Sequence, residues 1–180
     1  MSIFGGRNNK ARSITYQLTD PYIYFSNKIQ DKCNYQDENY WSHTINTSSF
    51  HSWSGFAFEQ LCLNHLPQIK EALGISGVQT AIYCWRENTQ EGKGAQIDLV
   101  IESKAANTDY LCEMKFSGSR YSITADYEQK LQNKVDAFAV SKMHKDSRSI
   151  QVVLITTMGL VPGSHSFIIN QTLTLENLFS

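Results

Sequence analysis

Apolar residues recur along this chain with two different periods, and the change of period marks out its elements. Between residues 54 and 73, Phe56, Phe58, Leu61, Cys62, Leu63, Leu66 and Ile69 form a broad apolar face at helical spacing. That predicts a helix, with Ser54 placed to cap its first turn. Pro67 is expected to kink or divide it, and Gly74 and Gly77 to end it. Residues 78–86 (VQTAIYCWR), 96–102 (QIDLVIE), 109–116 (DYLCEMKF) and 150–156 (IQVVLIT) read as strands, with a shorter one at 165–170. Residues 87–95 (ENTQEGKGA) form a turn by composition, and the polar Ser103–Thr108 loop makes 96–102 and 109–116 a hairpin-like pair. Tyr127, Leu131, Val135 and Phe138 predict a second helix over 124–141. The order helix, three strands, helix, strand predicts an α/β fold with a mixed central sheet flanked by helices.

The first 50 residues differ in character. Residues 1–12 are polar and contain glycine, as in a flexible lead or linker. Residues 14–30 carry Tyr22, Tyr24 and Phe25, too apolar for a linker, so this piece is expected to pack on something. Residues 31–54 read as a polar loop with room for one short helix. The expected division is therefore an N-terminal extension or linker over 1–50, packing on a core domain over 51–180.

Composition narrows the picture only a little. At 180 residues, 41% of them hydrophobic and 18% charged, the chain can bury a real core. The net charge of −1 announces no nucleic-acid partner, but its distribution is uneven. Residues 61–114 hold four basic and seven acidic groups, whereas 115–148 hold seven basic and four acidic. An acidic block beside a basic one suits a metal site next to a phosphate-binding surface, and it equally suits ordinary solvated faces. The four cysteines form no CxxC pair and the five histidines no HxxxH or HExxH pattern, which argues against a structural zinc. Without an apolar leader or an apolar run near 18 residues, the expected location is cytoplasmic, with no membrane partner. The sequons at Asn46 and Asn170 carry no weight there.

The candidate chemistry begins at Glu113-Met114-Lys115. Alternation along a strand sends Glu113 and Lys115 to one face, and Cys112, Met114 and Phe116 to the other. On the preceding strand Asp98 is expected to project opposite to Ile97, Leu99 and Ile101, and hairpin pairing could set it beside Glu113. Two adjacent carboxylates repel unless a cation lies between them, and Mg²⁺ suits oxygen ligands. The Met114 backbone carbonyl could add a third oxygen, and Lys115 could orient a metal-bound water or stabilise charge on a phosphate. The competing reading is a cross-strand salt bridge on a solvated sheet face. Glu59 shares a helix face with Phe56 and Leu63, where an acid needs a partner; the alternative is a surface glutamate at the edge of that face.

Glu59 on a first helix, Asp98 on a strand and Glu113-x-Lys115 on the next strand resemble the PD-(D/E)XK nuclease superfamily. At the signature's first position Gln96-Ile97-Asp98 replaces Pro-Asp. The stretches Cys84-Trp85-Arg86, Gly94-Ala95-Gln96-Ile97-Asp98-Leu99 and Cys112-Glu113-Met114-Lys115-Phe116-Ser117 resemble the C-terminal domain of bacterial, Bacteroides-type AAA ATPases. So does the ending Leu173-Thr174-Leu175-Glu176-Asn177-Leu178-Phe179, and Tyr16-Gln17-Leu18-Thr19-Asp20-Pro21 resembles the segment that joins their winged-helix part to it. The resemblance implies a restriction-endonuclease-like core. It implies catalysis by Glu59, Asp98, Glu113 and Lys115, with Mg²⁺ or Mn²⁺ held by Asp98, Glu113, the Met114 carbonyl and Glu59 through a water. The expected activity is metal-dependent hydrolysis of DNA. The expected partner is an ATP-binding AAA module in the same full-length chain, since no GxxxxGK[ST] occurs here. A homo-oligomer is left open.

Lys130 and Lys134, four apart on the second helix, could form a basic ridge, and Arg120 lies in the loop before it. All three are candidates for nucleic-acid contact, with a solubilising surface as the competing reading. Tyr121 and Tyr127 could stack on bases or pack, and Tyr127 reads better as core. The alternative for the whole domain is a catalytically silent nuclease fold that binds nucleic acid or a partner and regulates the attached ATPase. Retention of four reactive residues favours the enzyme; the near-neutral charge favours the binding module.

Overall fold

The computed structural model describes residues 39–45, 47–87, 94–145 and 147–180, together with Asp20 and Ile23. The expectations for residues 1–12 and 14–30 fall outside the described residues, apart from those two positions. A short helix α1 spans Tyr40–Thr44. The main N-terminal helix, α2, runs over Ser48–Asn64 and starts two turns before the expected Ser54. Thr47 is its cap, its hydroxyl accepting from the Phe50 N–H at 3.3 Å. Ser54 lies buried inside the helix and donates to the His51 carbonyl at 3.1 Å. Phe56, read as part of the apolar face, is exposed.

Pro67 divides this region instead of kinking it. α2 ends at His65, and α3 spans Leu66–Ala72 with the proline in its first turn, where a missing N–H costs nothing. Gly74 and Gly77 then turn the chain with φ of 70° and 73°. Space around Gly74 is open, so a methyl group there meets only backbone strain. Gly74→Ala should therefore destabilise the domain by about 1–2 kcal/mol, as read by urea unfolding.

Five strands form one mixed sheet among the described residues, in the order β1-β2-β3-β4-β5. β1 (Thr80–Glu87), β2 (Ala95–Ser103) and β3 (Thr108–Lys115) make an antiparallel meander. Asn107, at φ 50°, closes the β2–β3 turn. α4 (Ala125–Ala139) carries the chain across to β4 (Ser149–Thr156), which lies parallel to β3. β5 (Gln171–Leu173) adds parallel to β4, and α5 (Leu175–Phe179) ends the chain. The strand expected at 165–170 is instead a set of turns. Phe167 is 84% exposed, and the Ser166 hydroxyl closes a turn on Gly163. Pairing with β4 begins where Asn170 bonds Val152 through both its backbone N–H and its side-chain oxygen.

The sheet is buried on both faces. Leu99, Ile101, Cys112, Met114, Val153 and Ile155 pack against Phe58, Cys62 and Ile69 of α2 and α3. Ile97, Val100, Leu111, Tyr83 and Trp85 pack against Phe138 of α4, with the Trp85 and Phe138 rings edge to face at 5.4 Å. At the hairpin end of β2 and β3, the paired Glu102 and Asp109 share the cation of Arg148. His144, after α4, lies 2.8 Å from the other Asp109 oxygen. These four groups are shut away from solvent. Arg148, counted above with the basic block, therefore adds nothing to a basic surface.

Candidate active site

The site forms where β2 and β3 part. β1 pairs Tyr83 with Val100 and then Trp85 with Ile97, so Cys84 alone faces two residues, Asp98 and Leu99. This β-bulge breaks the alternation of β2. Leu99 and Ile101 join the core beneath α2, while Ile97, expected on that same side, joins Val100 in the core beneath α4. The β2–β3 ladder also stops at Leu99–Cys112. In place of the next ladder bond, the Asp98 carboxylate accepts the Met114 N–H at 3.1 Å. Asp98 is thus pinned by the backbone of the residue that separates Glu113 from Lys115.

Glu113 is only 2% exposed, yet it is richly partnered. Its Oε1 receives the Lys134 ammonium from α4. Its Oε2 accepts from the Tyr127 hydroxyl at 3.3 Å and lies 3.6 Å from Lys115 Nζ. The same Nζ is 3.9 Å from Asp98 Oδ2 and 5.9 Å from the centre of the Tyr127 ring. Tyr127 in turn meets Tyr121 edge to face at 5.9 Å. Burial pushes the Glu113 carboxyl above its ordinary range, helped by the Asp98 charge and opposed by Lys134 and Lys115.

Glu59 approaches from α2, half-buried. Burial, then the charges of Asp98 and Glu113, push its carboxyl up to about 7, against the pull of Lys115 and Lys134. Glu59 therefore senses Asp98, Glu113, Lys115 and Lys134. An acid raised in the folded state binds a proton that the unfolded chain has already lost, so stability falls as pH rises from about 4.5 to about 7. In chelator-treated protein, Glu59→Gln should stabilise the fold at pH 8, and the gain should vanish at about pH 5. Urea unfolding at the two pH values checks this; an equal effect at both would show that Glu59 is not held above its usual range.

The remaining expected contacts divide. Arg120 and Lys130 are exposed, Arg120 in a loop that Tyr121 ties to Gly159 and Val161 through backbone hydrogen bonds of 2.8 Å. Lys134 does not form a surface ridge with Lys130, because its ammonium is spent on Glu113. Tyr127 is a partner of the buried acid and not plain core. Sequence reasoning missed both roles, although a signal existed. Tyr127, Leu131, Lys134 and Phe138 follow one another at four- and three-residue steps, which puts a lysine in the buried stripe of α4.

Residues 22–146 match the family DUF234, described as archaeal and bacterial proteins of unknown function. The chain belongs to this family. Its matched region runs from within the N-terminal extension to the loop after α4 and includes Glu59, Asp98, Glu113, Lys115, Tyr127 and Lys134. The solved structure of AF1548, a protein of unknown function, is similar at 15% identity with a TM-score of 0.40. The similarity covers 66% of this chain and 64% of that one. No curated protein matches the DUF234 chain. Among the described residues no helix is long and apolar enough to cross a membrane.

The donor set fits the divalent ion that the nuclease resemblance implies. Glu59, Asp98 and Glu113 supply hard carboxylate oxygens, and two lysines leave one negative charge in excess when all are ionised. Among the described residues no three acid, histidine or cysteine side chains are already gathered round one point. Both Glu113 oxygens are turned to α4 and Lys115 instead.

Proposed function

We propose that this domain hydrolyses phosphodiester bonds in DNA with the help of Mg²⁺ or Mn²⁺, as the C-terminal, cytoplasmic part of a chain that also carries an AAA-type ATPase. The observation that supports the chemistry is the meeting of Asp98, Glu113 and Lys115 at the splayed end of β2 and β3, with Glu59 brought into the same field from α2. A divalent ion held by Asp98 and Glu113 would supply an acidified water and a positive charge for the phosphate. Lys115, anchored between both carboxylates, is placed to hold its ammonium against a phosphate oxygen on which charge builds. Tyr127 steadies Glu113 by donating to it, and Asp98 is aimed by the Met114 N–H. The attached ATPase rests on the sequence resemblance alone.

The satisfied Glu113 supports a second reading, a silent module in which the acids and lysines serve only as ion pairs. Incubation of the domain with single-stranded, duplex and branched DNA separates the two. Cleavage is expected with Mg²⁺ or Mn²⁺, and binding without cleavage with Ca²⁺. If no divalent ion binds at about millimolar concentration, the catalytic reading is wrong and the silent module replaces it.

A further inference from the structure

Lys134 is the least explained member of the cluster. It is a long cation on the buried stripe of α4, and it spends its charge on the most buried acid in the site although Lys115 already lies 3.6 Å from that acid. Two ammonium groups and a phenol thus share one carboxylate. Lys134 keeps 23% of its side chain in contact with solvent, so its ammonium has a way out that Glu113 lacks. A buried carboxylate needs either a proton or a nearby positive charge, which a metal ion or an ammonium can supply.

Resting on the nuclease reading above, we propose that Lys134 is a built-in cation that occupies Glu113 until a divalent ion displaces it, and that the freed ammonium then binds the phosphate backbone of the substrate. The two states use one lysine for two anions. The arrangement accounts for why, among the described residues, three nearby carboxylates form no gathered ligand group. It also gives the loss of Lys134 effects of opposite sign on the two ligands.

The test uses the whole chain and the variant Lys134→Met, which keeps side-chain length and removes charge. Mn²⁺ binding is followed by loss of the free-ion paramagnetic resonance signal, and duplex binding is followed in saturating Ca²⁺. Lys134→Met should bind Mn²⁺ about tenfold more tightly than wild type. Exposed Lys142, replaced by Met as a charge-matched control, should change the affinity by less than about twofold. In Ca²⁺, Lys134→Met should bind a duplex oligonucleotide about three- to tenfold more weakly. A Mn²⁺ affinity that shifts no more than in the Lys142 control overturns the proposal and leaves the nuclease reading standing. Failure of wild type and variant alike to bind Mn²⁺ overturns both. Should Lys134→Met not fold, the wild type still decides the matter by nitrogen-15 resonance of its lysine ammonium groups. The Lys134 signal, ordered by Glu113, should shift and broaden when Mg²⁺ is added, and an unchanged signal refutes displacement.

Discussion

Lys115→Ala is expected to reduce DNA cleavage by about 10³-fold while leaving divalent-ion affinity no weaker and the fold intact. The loss follows from the position of the ammonium, held 3.6 Å from Glu113 and 3.9 Å from Asp98 and thus against whatever those acids hold. It makes no ligand bond itself, so removing it takes away stabilisation of charge that appears only as the phosphate reacts. The side chain is 30% exposed at the end of its strand, so alanine leaves no sealed cavity. Asp98→Asn should give the complementary result. Its remaining oxygen can still accept the Met114 N–H, so the splayed strand ends hold, but the lost charge should weaken Mn²⁺ binding by about tenfold or more. Single-turnover cleavage measured alongside Mn²⁺ titration checks both variants. Cleavage by Lys115→Ala at the wild-type rate would remove the catalytic role assigned to this cluster.

The largest effect on stability should come from Arg148→Met, far along β2 and β3 from the site. Arg148 contacts Glu102 and lies 3.2 Å from Asp109, two acids paired across the hairpin and buried with it. These are close ion pairs without well-aligned hydrogen bonds, and Nη2 donates to the Met143 carbonyl at 3.2 Å. Without it, Glu102 and Asp109 face each other in the interior with only His144 beside them. Breaking one side of such a pair costs about 3–5 kcal/mol, because the orphaned charge loses both water and partner. Urea unfolding should show that loss, with metal binding at low temperature retained because the cluster of Glu59, Asp98, Glu113 and Lys115 is untouched. A cost below about 1 kcal/mol would mean that the acids take up protons or reach water easily.

Much of the site was legible before the structure. Glu113 and Lys115 share a face because alternation on a strand is a property of the backbone alone, and β3 is regular through both. The hairpin with Asp98 followed from two apolar runs around a short polar loop, and the helical faces of 54–73 and 124–141 from their periods. The cap of α2 is not legible in the sequence, because Thr47 and Ser54 both carry hydroxyls and only the course of the chain chooses between them. Phe167, Ile168 and Ile169 look like a buried run and so predict a strand at 165–170, whereas only Leu173 in the adjoining β5 is well buried.

By itself the sequence determined the main helices and the first four strands, and which residues share a face wherever an element keeps its period. Tertiary structure alone decided the rest. The bulge at Asp98 depends on how β1 and β3 register against β2, and it moves Ile97 to the opposite core. Lys134 and Arg148 look like surface charges in a list of residues, yet one lies against Glu113 and the other is sealed between two acids. The physical reason is the same in each case. Periodicity is local, since it is set by the geometry of successive peptides, whereas register and the desolvation of a charge depend on partners that are distant in the chain.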